Sequence, residues 1–62
     1  MSFKRLVRIC RKYGFAFDLF GGTDGVYITL HKYGTFETIE LCSSFCDYND
    51  LFKKAIKAMK NH

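Results

Sequence analysis

The stretch Val26-Tyr27-Ile28-Thr29-Leu30-His31-Lys32-Tyr33-Gly34-Thr35-Phe36-Glu37-Thr38-Ile39-Glu40-Leu41 decides the fold. Val26, Ile28 and Leu30 alternate with Tyr27, Thr29 and His31, and the same period of two resumes through Ile39 and Leu41. Such alternation puts the apolar set on one face of a pleated strand. The two strands are joined through Tyr33-Gly34-Thr35-Phe36, and a two-residue turn with Gly34 first predicts type II′, where glycine takes positive φ without strain. That turn sets the register. It places Leu30 opposite Ile39 and Ile28 opposite Leu41, with Lys32 opposite Glu37 at the end of that face and Tyr33 opposite Phe36 on the other. Apolar residues then meet apolar residues, as pairing over a buried face requires.

Upstream, Phe15, Phe17 and Leu19 alternate with Ala16, Asp18 and Phe20 until Gly21-Gly22-Thr23-Asp24-Gly25 breaks the run, which predicts a first strand and a mobile hairpin tip. Before it, Phe3 to Tyr13 has a helical period, with Ser2 as N-cap and Gly14 as the left-handed residue that ends it. Downstream, Asp47 and Asp50 form an acidic capping pair for a helix from about Tyr48 to Lys60. Its apolar face is Tyr48, Leu51, Phe52, Ala55, Ile56 and Met59, and its lysines read as a solvated face. The expected class is α+β. Its order is α-β-β-β-α, with a three-stranded antiparallel sheet and both helices packed on one face.

The chain has 62 residues, 48% of them hydrophobic and 18% aromatic. That is too apolar for a disordered segment, and with no Pro or low-complexity linker the expectation is one complete domain, residues 1–62. A domain of this size buries only about 60% of its unfolded surface and leaves no room for a deep catalytic cavity. Charges every few residues near the N-terminus argue against a signal peptide or membrane span. Cys10, Cys42 and Cys46 are an odd number, which suits reduced thiols and a cytoplasmic location rather than a disulfide framework.

Charge is unevenly placed. At about 100° per residue, Lys4, Arg5, Arg8, Arg11 and Lys12 of the first helix fall within an arc of roughly 120°. The other five lysines are outnumbered by six acids, so the net charge of +4 belongs to that helix. Such a face suits phosphates or an acidic protein surface, and Lys53, Lys54, Lys57 and Lys60 would widen it if the two helices lay side by side. Membrane binding is not expected, because the apolar half of the helix is needed for the core.

The second sheet face receives Ala16, Asp18, Phe20, Tyr27, Thr29, His31, Tyr33, Phe36, Thr38, Glu40 and Cys42, and no further element is left to cover it. Its aromatics resemble the anchors of protein interfaces, and rings on an open sheet also stack nucleobases. His31 with Asp18 or Glu40 has the composition of a base and its orienting partner, but an open sheet lacks the pocket that catalysis needs, so no enzyme is expected. No cofactor or metal is expected either. Zinc would need four ligands from Cys10, Cys42, Cys46, His31 and His62, which lie on different elements, and the cysteines are read as small buried hydrophobes.

The order of elements resembles a double-stranded-RNA-binding domain. In that family the second helix begins with lysines, where this chain has Asp47, Tyr48, Asn49 and Asp50. A second resemblance rests on Leu6-Val7-Arg8-Ile9, Tyr13-Gly14-Phe15, Gly22-Thr23-Asp24 and Leu51-Phe52-Lys53-Lys54-Ala55-Ile56. With the overall layout, these look like small phage and mobile-element proteins that inhibit host defence nucleases, some type II anti-CRISPRs among them. The resemblance implies a non-catalytic protein, monomeric or homodimeric, that blocks a host protein such as a defence nuclease by direct contact. The residues expected to bind are Tyr27, Tyr33, Phe36 and His31 as anchors, with Arg5, Arg8 and Arg11 as steering charges. The alternative expectation is a nucleic-acid-binding module that sets Lys4, Arg5, Arg8, Arg11 and Lys12 on phosphates.

Overall fold

The computed structural model describes residues 2–44 and 47–62. They form α1 (Phe3–Tyr13), β1 (Phe15–Gly21), β2 (Gly25–Lys32), β3 (Thr38–Ser44) and α2 (Tyr48–Lys60), in the order α-β-β-β-α. The strands make one antiparallel sheet in the order β1-β2-β3, and both helices contact it.

Each helix is closed by the residues that the sequence marks. The Ser2 hydroxyl accepts the Arg5 N–H at 3.3 Å, and Gly14 ends α1 in the left-handed conformation with its N–H on the Cys10 carbonyl. The Asp47 carboxylate accepts the Asp50 N–H at 3.1 Å, and Lys57 and Lys60 occupy the last turn of α2, where the helix dipole favours cations. Leu30 faces Ile39 and Ile28 faces Leu41, as expected. Strand β1 pairs with β2 through Phe17 opposite Leu30 and Leu19 opposite Ile28, so the inward parity runs across all three strands.

The core lies between the sheet and the helix layer. Leu6 and Cys10 of α1, Phe15 of β1, Val26, Ile28 and Leu30 of β2, and Leu51, Phe52, Ala55, Ile56 and Met59 of α2 are all buried. Strand β3 contributes only half-buried Ile39 and Leu41. A separate clamp holds it to α2: the Ser43 hydroxyl and the Lys54 ammonium, the latter at 3.0 Å, both bond Asp50 Oδ2, and Lys54 also donates to the Cys42 carbonyl at 3.1 Å. Asp50 is accordingly held below the usual carboxylate range, first by the Ser43 hydrogen bond and then by Lys54. Lys54 is pushed upward in turn, chiefly by its bond to Asp50. At the other end of the sheet the His62 ring lies with Nδ1 3.3 Å from Lys32 Nζ and with Nε2 beside the Glu37 carboxylate.

Three expectations are corrected. Lys32 does face Glu37, through Lys32 N–H to the Glu37 carbonyl at 3.2 Å, but Tyr33 does not pair with Phe36. Instead Tyr33 N–H bonds the Gly14 carbonyl at 2.9 Å and Thr35 N–H bonds the Lys32 carbonyl at 3.3 Å. The turn is Lys32 to Thr35, so Gly34, with φ 76°, is its third residue rather than its second. Thr35 holds it there, since its hydroxyl donates to the Lys32 carbonyl and accepts the Glu37 N–H, both at 3.1 Å. Second, Cys42 is exposed, not a buried hydrophobe, because Leu41 takes the inward position and parity sends its neighbour outward. Cys10 is buried as expected, and Cys46 lies outside the described residues. Third, Lys54 keeps the exposure expected of it but is tied to Asp50 and β3 rather than left without contacts.

Candidate binding surfaces

Two surfaces result, on opposite sides of the core. The outer sheet face is built from cross-strand rows: Phe20, Tyr27 and Cys42 at one end, Asp18, Thr29 and Glu40 in the middle, and Ala16, His31 and Thr38 at the other end. The β1–β2 tip closes through Gly22 N–H to the Gly25 carbonyl at 2.8 Å. From that tip Asp24 accepts the Tyr27 hydroxyl at 2.7 Å. This bond favours the protonated phenol and raises its pKa, with lesser contributions from desolvation and the Asp24 charge. Phe20 stacks on the Tyr27 ring at 5.5 Å between centroids and 17° between planes, so one end of the face carries a fixed aromatic pair. A shallow depression of about 220 Å³ beside it is lined by Tyr27, Glu40, Leu41 and Cys42.

His31 reaches from the last row to the middle one, where its Nε2 lies 3.2 Å from Asp18 Oδ2. Both side chains are open to water, at 43% and 73% exposure, on a surface that does not enclose them. The pairing that composition suggested is therefore formed, with Asp18 and not Glu40.

Tyr33 and Phe36 do not belong to these rows. They sit in the β2–β3 turn, at 66% and 106% exposure. Tyr33 is six positions beyond Tyr27, about 20 Å at the rise of an extended strand. The expected aromatic anchors thus form two stations at opposite ends of the sheet, with His31 and Asp18 between them. Phe20 is exposed and stacked beside Tyr27; the sequence reading counts it among the aromatics of this face but does not name it as a contact.

The second surface is the helix layer. Lys4, Arg5, Arg8, Arg11 and Lys12 are all exposed, as are Lys53, Lys57 and Lys60 of α2, and among the described residues none of these eight forms an ion pair. Lys12 lies over the Tyr13 ring at 5.8 Å. The packing of α1 against α2 creates an open groove of about 460 Å³ lined by Arg5, Lys53, Ile56, Lys57, Lys60 and Asn61. A neighbouring groove of about 540 Å³ is lined by Ser2, Lys4, Arg5, Arg8 and Ile9. Arg5 belongs to both, and no acid lines either. Arg5 is brought together with Lys53, Lys57 and Lys60 of α2 in the first groove and with Lys4 and Arg8 in the second, while Arg11 and Lys12 line neither.

The cation-rich helix layer and the sheet face differ in kind. Asp18 and Glu40 stand in the middle row of the sheet face, and no Lys or Arg occupies its three rows. Among the described residues no cluster of His, Cys, Asp and Glu has the spacing to hold a metal ion, and no helix is long and apolar enough to cross a membrane. Comparison with protein-family models, with curated proteins and with solved structures finds no match for this chain.

Proposed function

We propose that the protein is a non-catalytic binding protein that acts by covering a surface of a second protein with its outer sheet face. The observation that supports this reading is the uncovered face itself. It presents a stacked Phe20–Tyr27 pair at one end and a polar centre of Asp18, Thr29, His31 and Glu40, and the turn that carries exposed Tyr33 and Phe36 lies beyond its other end. Aromatic anchors around a hydrogen-bonding centre supply binding energy and orientation to protein interfaces. The same face is poorly suited to single-stranded nucleic acid, which needs cations along the backbone beside its stacking rings.

The resemblance to small phage and mobile-element inhibitors gives this reading a direction: the covered surface belongs to a host protein, and a defence nuclease is the specific candidate. Arg5, Arg8 and Arg11, expected as steering charges, belong to the helix layer across the core and so have no part in covering a surface with the sheet face. The test is capture from cells expressing the tagged chain, comparing the wild type with Tyr27→Ala/Tyr33→Ala/Phe36→Ala. The expected result is a protein retained by the wild type and lost with the triple variant, which should keep its fold because Tyr33 and Phe36 are exposed and Tyr27 lies on the outer face. Equal retention by both proteins would remove the sheet face from the proposal.

A further inference from the structure

The geometry points to a second, independent site: the pair of grooves joined at Arg5 binds the phosphate backbone of double-stranded nucleic acid. The site is not the single basic face of α1. It is a channel of two adjoining grooves: Arg5 of α1 lines the first together with Lys53, Lys57 and Lys60 of α2, and the second, lined from Ser2 and α1 alone, adds Lys4 and Arg8.

Three features of the channel select this ligand. The first is uncompensated charge: six cations line the two grooves with no acid in either lining and no ion pair among the described residues. The second is spacing. Lys53 to Lys60 covers about 10 Å of helix axis at 1.5 Å per residue, a length over which one strand of a double helix presents about three phosphates. Lys53, Lys57 and Lys60 match that number. The third is the absence of any aromatic ring from the lining, whose uncharged members are Ser2, Ile9, Ile56 and Asn61. Single strands are held by stacking as well as charge, so a channel with cations alone selects the form whose bases are already stacked on each other. The two grooves hold cations without rings, and the three rows of the sheet face hold rings without Lys or Arg.

An acidic protein segment is the competing occupant. Its carboxylates are irregularly spaced, and it would need apolar anchors that Ile9 and Ile56 alone do not supply. The duplex requires only the charges that are present.

The test is fluorescence anisotropy with a labelled 20-base-pair DNA duplex, the matching RNA duplex, the single strands, and poly-glutamate as competitor, at 50 to 200 mM salt. Duplex binding is expected, with a slope of log affinity against log salt near −5 for six contacts. Arg5→Glu/Lys57→Glu in the channel should weaken binding at least about tenfold and flatten the slope by about 2. Arg11→Glu/Lys12→Glu makes the same change in net charge outside the channel and should cost less than about threefold. All four side chains are exposed, so matched thermal unfolding establishes that both variants fold. The inference is overturned by no duplex binding at 50 mM salt, by equal losses in the two double variants, or by single strands or poly-glutamate binding more tightly than the duplex. None of these outcomes touches the sheet-face proposal, because no second protein is present in the assay.

Discussion

At the scale of single residues, Asp50 concentrates the most consequence in the fewest atoms. Its carboxylate accepts from Ser43 and Lys54 and thereby fastens α2 to β3, the strand with no fully buried side chain. Because the folded protein holds this group below its ordinary value of 3.8, its contribution is present above about pH 4 and is lost as pH falls through the lower folded value. Melting temperatures of the wild type and Asp50→Asn should therefore differ at pH 7 and converge toward pH 2, and a constant difference across that range would dissociate the clamp from the charge. Gly25 is a second such residue: a Cβ there would stand 2.5 Å from the Ser43 carbonyl oxygen, whereas one on Gly21 would meet nothing within 4 Å. Gly25→Ala should cost about 1–3 kcal/mol and Gly21→Ala clearly less, as read by denaturant titration. The cysteines divide in the same way. Burial raises the Cys10 thiol above its ordinary range while Cys42 stands exposed, so maleimide labelling of the native protein followed by peptide mapping should modify Cys42 and spare Cys10 until denaturation. Labelling of both at one rate would contradict the packing of α1.

At the scale of elements, the sequence is most legible where one periodicity acts alone. The period of two in Val26 to Leu30 and Ile39 to Leu41 dictates which residues face inward, a choice that a slip of one residue would reverse. Ser2, Gly14 and Asp47 mark helix ends through local hydrogen bonds that need no tertiary context. Each N-cap is worth about 1 kcal/mol, so Ser2→Ala and Asp47→Ala should each lower stability by that amount in a denaturant titration. Leu51→Ala empties a fully buried position and should cost about 2–5 kcal/mol in the same measurement, because the lost burial is joined by the cavity left behind. Legibility fails where side chains decide. Gly34 alone is compatible with two placements of the turn, and the choice between them is made by the Thr35 hydroxyl, which no hydropathy pattern registers. Cys42 shows residue type and parity in conflict: cysteine favours burial, but alternation from Leu41 sends it outward, and alternation wins. The Asp50–Lys54 spacing of four residues and Ser43 at an inward position are readable signs of the clamp, yet weak ones, since helix lysines usually point to water. The channel is legible only in part, because the basic arcs are in the sequence but the approach of Arg5 to the α2 lysines depends on how two helices pack.

At the scale of the whole molecule, the eight cations of the helix layer that lack an ion partner among the described residues repel one another across the surface that the core holds together. Salt should therefore stabilise the folded protein over the range in which the Debye length falls from about 30 Å at 10 mM to about 8 Å at 150 mM. A melting temperature that rises over that interval is the expected outcome, and a fall would mean that these side chains find acidic neighbours in solution. The sorting of charge also gives the domain an electrical front and back. Near a polyanion it is turned before it touches, with the helices toward the field and the strands away from it. Orientation in this sense precedes contact, and were the grooves occupied as proposed, the Phe20–Tyr27 pair of the sheet face would remain open to solvent. Its two sides need not compete for the same moment, and the small body that separates them becomes a spacer of one domain's thickness.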